Sequence, residues 1–467
     1  LQQLDKIIKH QLSGIQTVQT IDFCGYSKDH GTYVFNDIAV KGGRVVAIND
    51  EDFFELDKLS LKSLNQSVRL EINTDDRAFT KDWLHDLWLS FGSKGVVAMA
   101  FWLGALFAEQ IRDMHKSYPF LEIVGEPGAG KSTLVEFLWK LCGRMDYEGF
   151  DPSKSTLAAR ARNFAQVSNL PVVLIEGDRG GEDTAKAKGF DWDELKTAYN
   201  GRSVRATGVK NSGNDTREPP FRGAVVISQN AEVMASDAVL QRIVHLHFDV
   251  ASHTDKTKAA AERLERVSVD AVSGFILKAA KNEAKILETV REKTPFYEGL
   301  ISENKTVKSV RIAKNHAQIM ALVDALCLVI ELPDAQKMAA LDKCLEIAAE
   351  RQQAINADHP MVQEFWDIYD YLEPSASLGN PLLNHSRDEN LIAINLNHFA
   401  QVALDRKQQI PPLTDLKRLL RTSRTRKFVD TRVVNSSINE RYNAFGGENQ
   451  SKKPTSVKCW VFKTTTK

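Results

Sequence analysis

Phe120-Leu121-Glu122-Ile123-Val124, followed without a break by Gly125-Glu126-Pro127-Gly128-Ala129-Gly130-Lys131-Ser132-Thr133, is the stretch whose reading decides the fold. The apolar run predicts a strand, and Thr133 to Leu141 predicts the helix that follows it. Between them the glycines let the backbone curl around an anion, and the helix N-terminus turns its free N–H groups toward the same point. Lys131 supplies a point charge for β and γ phosphates. The Ser132 hydroxyl supplies a ligand for the magnesium ion that bridges them. The implied ligand is ATP with Mg2+, bound by Gly125, Glu126, Pro127, Gly128, Ala129, Gly130, Lys131, Ser132 and Thr133.

Working outward, Pro171-Val172-Val173-Leu174-Ile175 reads as a buried strand, and Glu176 and Asp178 follow it. Phosphoryl transfer needs one carboxylate near the metal and another to orient or deprotonate the attacking water. Gly177 separates the two acids, so which does which stays open; Glu176 is the favoured metal or base residue with Asp178 as its partner. A further strand, Ala224-Val225-Val226-Ile227-Ser228, ends in Gln229-Asn230, and the Asn230 amide is suited to touch both the γ-phosphate and the lytic water. Twelve residues after Asn230 comes Arg242, before another apolar run, where it can project into a neighbour's site and stabilise transition-state charge. Between the acidic strand and the Asn230 strand, Leu195 to Lys210 carries Lys196, Arg202, Arg205 and Lys210 around two glycines. That spacing predicts a β-hairpin offering cations to a phosphate backbone.

Composition sets the outer bounds. Across 467 residues, 43% apolar, there is material for several cores. Lys plus Arg and Asp plus Glu are both 61, so any basic surface is local. Cys24, Cys142, Cys327, Cys344 and Cys459 are odd in number and scattered, which argues for reduced thiols and a cytoplasmic location. The apolar stretch Val96 to Ala108 is too short to span a bilayer and reads as a buried helix, so no membrane partner is expected. Trp83, Trp88 and Trp102 fall at helical spacings and read as core anchors. His245 and His247 alternate in a strand-like run with no acid or cysteine spaced to complete a metal site, so they read as strand packing.

Five segments follow: a small β-rich or α+β module at 1–75, a helical collar at 76–117, an α/β core with a doubly wound parallel sheet at 118–250, a helical domain at 251–370, and a C-terminal module at 371–467. In the last, strand Leu391–Ile394, helices at 396–407 and 414–420, and strands at 429–434 and 457–463 come in the order of a winged helix. Lys417, Arg418, Arg421, Arg424, Arg426, Lys427 and Arg432 crowd the segment where such a module meets DNA. The chain opens at Leu1 in an amphipathic pattern, compatible with a piece of a longer polypeptide.

From Glu122 to about Asp249, the order of phosphate loop, acidic strand, LK…GR…K segment, hhhSxN strand and late arginine resembles the superfamily 3 helicases of the AAA+ ATPases, especially phage- and poxvirus-type primase-helicases. The resemblance implies an AAA+ P-loop core, with Gly125 to Thr133 as Walker A, Glu176 and Asp178 as Walker B, Asn230 as sensor 1 and Arg242 as arginine finger. Lys196, Arg202 and Lys210 would lie on a hairpin lining a central channel. The separated acids and the Asn211 to Glu218 insertion depart from the family pattern. It further implies a homo-oligomeric ring, six subunits being the expected number, that unwinds single-stranded and forked DNA in replication of a phage, plasmid or mobile element, with room for a primase or polymerase domain or partner. The alternative is a DNA-binding AAA+ ATPase that acts as a loader or assembly switch without unwinding.

Overall fold

The computed structural model describes residues 2–12, 17–175, 190–204, 207–208, 216–233, 235–373, 381–445 and 451–464. Two units divide the chain, Leu1–Gln352 and Gln353–Lys467.

The first unit opens with helix α1 (Gln2–Leu12) and seven short strands: β1 (Gln19–Ile21), β2 (Cys24–Ser27), β3 (Thr32–Phe35), β4 (Ile38–Lys41), β5 (Arg44–Ala47), β6 (Phe54–Leu56) and β7 (Leu59–Ser63). β2 to β5 form an antiparallel meander, while β1, β7 and β6 make a second small sheet. Val34, Ala39, Phe54 and Leu61 are buried at the centre of their shared core. Helices α2 (Trp83–Ala105) and α3 (Ala108–His115) follow. By length and composition alone α2 could cross a membrane, yet it is buried without interruption from Gly95 to Ala105 and packs against α7 (Asp255–Arg266) and α11 (Val310–Leu326). It is a core helix, and Trp83 and Trp102 are buried within it.

The α/β region runs β8 (Phe120–Gly125), α4 (Lys131–Leu141), α5 (Leu157–Ala165), β9 (Val167–Ser168), β10 (Pro171–Ile175), a 3-10 helix at Trp192–Asn200, β11 (Thr207–Gly208), β12 (Thr216–Arg217), β13 (Ala224–Gln229), α6 (Asp237–Leu240) and β14 (Ile243–Phe248). β10, β13, β8 and β14 lie in that order, all parallel. Phe150 bridges Leu174 on the outer side of β10. A parallel sheet covered on both faces needs strands that are apolar throughout; accordingly β8 and β13 are buried along their full lengths. β9 pairs with β2 and so ties the N-terminal meander to this region. Helices α7, α8 (Val269–Val272), α9 (Gly274–Lys281), α10 (Glu283–Glu303), α11 and α12 (Asp334–Asn356) complete the unit, with α10 and α11 packed along each other.

The second unit runs α13 (Pro360–Leu372), β15 (Leu391–Ile394), α14 (Leu396–Asp405), α15 (Leu413–Leu419), β16 (Phe428–Asn435), α16 (Ser437–Phe445) and β17 (Ser456–Lys463). Its sheet is antiparallel in the order β15-β17-β16. Phe365, Trp366 and Tyr369 of α13 share one core with Phe399, Leu416 and Phe462. α13 thus shares the core of the C-terminal unit, whereas the expected division fell at 370/371.

The expected Lys196 to Lys210 hairpin is also displaced. Residues Trp192–Asn200 form a 3-10 helix, because Asp191 caps it by accepting from the Asp193 N–H, and Leu195, Ala198 and Tyr199 bury one side. Lys196 pairs with Asp193 at 3.0 Å, one turn back. The paired strands are Thr207–Gly208 and Thr216–Arg217, so the hairpin's return strand falls inside the segment expected to be an insertion. Arg205 and Lys210 lie outside the described residues, and Arg202 is exposed directly after the Gly201 cap.

Candidate functional site

The loop between β8 and α4 opens at the C-terminal ends of the parallel strands, the edge where open α/β sheets take ligands. β8 sits between β13 and β14, with Val124 opposite both Gln229 and His247. Gly125 could be no other residue there: a Cβ on it would stand 1.9 Å from the Phe248 carbonyl oxygen. Gly128 and Gly130 hold φ of 85° and 82°, which bend the loop back on itself so that Lys131 begins the helix.

Lys131 is buried, and its Nζ donates to the carbonyls of Gly125 (2.7 Å) and Glu126 (2.9 Å) and to Asn230 Oδ1 (3.1 Å). The register explains the third bond: Gln229 lies level with Val124, so Asn230 reaches the level of Gly125. A cleft of about 500 Å³ is lined by Pro127, Gly128, Gly130, Lys131, Ser132, Thr133, Glu148, Ile175, Ser228, Gln229 and Asn230. Among these described residues Lys131 is the only cation. Ser132 Oγ donates to Glu148 Oε1 at 3.0 Å, a partner with no signal in the sequence. The oxygen donors here, a hydroxyl, a carboxylate and amide carbonyls, fit a hard cation such as Mg2+. Glu176 and Asp178 follow Ile175 in sequence and lie outside the described residues. No group of three His, Cys, Asp or Glu side chains that could hold a metal occurs among the described residues.

A second cleft, about 560 Å³, opens beside Gly128, Gly130 and Thr133 toward Ser90, Phe91 and the start of α7. Gly130 is again constrained, since a Cβ there would lie 3.1 Å from the Phe91 ring. Thr133 Oγ1 donates to Glu265 Oε1 at 2.8 Å, which ties the first turn of α4 to the end of α7. The loop thus has an open cleft on each side.

Arg242 is elsewhere. It precedes Ile243, which pairs with Phe120 at the opposite end of β8 from the loop. At the rise of an extended strand this is about 16 Å from Gly125. Its guanidinium lies 4.9 Å from the Tyr199 ring centroid and donates to the Ala238 carbonyl. Burial, then the positive charge of Arg311, hold its pKa below the usual arginine value.

Beneath the loop, sequence reasoning missed a buried charge network. Glu122 is fully buried in β8 and accepts from His245 Nδ1 (2.7 Å), Arg351 Nη2 (2.9 Å) and the Val233 N–H. Burial pushes its carboxyl up, but the hydrogen bond and charge of His245, the charge of Arg351 and the Val233 N–H outweigh it and hold the pKa below the ordinary value. His245 is therefore a hydrogen-bond partner of Glu122 as well as a strand residue. The one signal was an acid inside an apolar strand.

In the second unit Lys417, Arg418, Arg421 and Arg424 are exposed on or just after α15. Arg418 approaches Asp415 at 4.0 Å, Arg421 lies 5.6 Å from the Trp460 ring centroid, and the Arg424 N–H is held by Asp358. Arg426, part of the same sequence cluster, instead packs on Trp366 at 4.5 Å and pairs with Asp370, so it belongs to the packing of this unit.

The fold and loop define a class: a helicase-like α/β protein with a phosphate-loop motif at the C-terminal edge of a parallel sheet. Among solved structures the chain is similar to the SCCmec type IV Cch active helicase, at 11% identity with a TM-score of 0.50, over 99% of this chain and 82% of that one. It is also similar to the A form of the apo NrS-1 C-terminal region, at 12% identity and a TM-score of 0.34 over 98% and 97% of the two chains, and to JCV helicase, at 14% and 0.21 over 61% and 68%. At 11% identity the likeness to the Cch helicase is one of fold. No protein-family model matches the chain, and no curated protein does.

Proposed function

We propose that this chain is an ATP-dependent DNA helicase of the AAA+ superfamily 3 type, which assembles as a ring and hydrolyses ATP between neighbouring subunits. The observation that carries the reading is the convergence of the loop and the Asn230 strand on Lys131, with Arg242 at the far end of the sheet. Loop N–H groups and Lys131 hold the phosphates. Ser132 would hold the magnesium ion, which when bound would neutralise charge on the nucleotide phosphates. Glu176 and Asp178 stand next in sequence after the strand end that lines the cleft, and orient metal and water. Asn230 responds to the γ-phosphate through the amide that it shares with Lys131.

Because Arg242 is on the opposite edge of its own sheet, its charge serves the site of an adjacent subunit. The β11–β12 pair and the exposed cations near α15 are the proposed DNA contacts, and the second unit's helix, strand and two helices, followed by β16, α16 and β17 in an antiparallel sheet, support a winged-helix-like role. The likeness to an active helicase supports the same reading.

The test is ATP hydrolysis by the full chain with and without single-stranded DNA. Stimulation by DNA is expected. A rate indifferent to DNA, with nucleotide still bound, would count against a DNA motor.

A further inference from the structure

We propose that Glu148 is a positioning residue for the divalent cation: its Oε1 accepts the Ser132 hydroxyl proton at 3.0 Å and so leaves the Ser132 oxygen lone pair directed to the metal. This rests on the nucleotide-binding reading above and adds to it a carboxylate from a different element than the acidic strand.

A hydroxyl that ligates a metal must send its proton to some acceptor, and a carboxylate is the strongest acceptor that a side chain offers. Glu148 is that acceptor and lines the same cleft as Lys131 and Asn230. Its backbone is fixed from two sides. Trp139 Nε1 donates to the Glu148 carbonyl at 3.1 Å, and Trp139 is itself buried against Trp102 with ring centroids 5.9 Å apart. Two residues on, Phe150 exchanges hydrogen bonds with β10: its N–H donates to Val173 and its carbonyl accepts from Ile175, each at 3.0 Å. The strand end that leads into Glu176 and the segment that carries Glu148 are thus one unit.

The surroundings favour a cation. Burial raises the pKa of Glu136, one turn further along α4, and the charge of Glu148 raises it again, with Lys140 opposing. A divalent ion beside Ser132 relieves that repulsion. Carboxylates behind metal ligands typically contribute ~10–100-fold to metal affinity.

The experiment titrates Mg2+ against binding of a fluorescent, non-hydrolysable ATP analogue to the full chain. Glu148→Ala is expected to raise the half-saturating Mg2+ concentration ~10-fold or more, with Glu148→Gln between it and wild type. Affinity in EDTA is expected to match wild type, since metal-free binding does not use the pair. Ser132→Ala should raise the Mg2+ requirement similarly, and the double variant should add little, because both remove one interaction. A wild-type Mg2+ requirement in Glu148→Ala overturns the proposal, and so does a loss confined to metal-free affinity, which marks a packing role. If the wild-type chain binds the analogue without regard to Mg2+, the proposal is likewise overturned while the nucleotide site stands; if it does not bind the analogue at any Mg2+ concentration, the nucleotide-site reading fails instead.

Discussion

Lys131 is held by two loop carbonyls and one amide, each of them a neutral acceptor. An ammonium so placed can exchange these carbonyls for phosphate oxygens. Lys131→Ala is expected to remove a charged hydrogen-bonding group worth ~1.5–3 kcal/mol, read as roughly 10- to 150-fold weaker nucleotide binding by fluorescence titration. Glu122 is the contrasting residue, a buried acid that accepts hydrogen bonds from three directions. Glu122→Gln strands Arg351 in the interior and should cost about 3–5 kcal/mol, measured as a lower denaturation midpoint. The pH sign follows from the depressed carboxyl: its stabilisation is present above the unfolded value and is lost as pH falls through the lower folded value. Acid unfolding of wild type below about pH 4 should therefore include a contribution that Glu122→Gln lacks.

At the scale of elements, β8, its loop and α4 were legible because their signals are local: an apolar run, fixed glycines and a helix pattern within about twenty residues. The parallel sheet was legible for the same reason. Glu148 was not, since it reaches Ser132 through a turn that no spacing rule marks, and the Glu122 network joins residues 229 positions apart. The 3-10 helix at Trp192–Asn200 was missed because glycines and cations drew the eye past Asp191, whose cap sets the helix start. Arg242 before β14 gives the element-scale prediction. Arg242→Ala should bind nucleotide normally but lose hydrolysis by ~10³-fold or more. Mixing it with Lys131→Ala should recover part of the rate, as two lesions in different halves of a shared site would. No recovery on mixing would place Arg242 outside it.

For the whole molecule, a formal net charge of zero leaves DNA affinity to local surfaces. If the exposed cations near α15 meet DNA as proposed, Lys417→Ala or Arg421→Ala should each weaken DNA binding across sequences and reduce the salt slope by about 1. Binding unaffected by either substitution, with an unchanged slope, would move the contact elsewhere. The proposed motor unites a phosphate loop, a sensor amide, an arginine for the neighbouring site and a DNA surface, and strand separation tests that union most directly. Incubated with ATP, Mg2+ and a labelled forked duplex, the full chain is predicted to release single strands, and Lys131→Ala to release none. DNA-stimulated ATP hydrolysis with the fork left intact would contradict the helicase and leave an ATPase that loads or switches without unwinding.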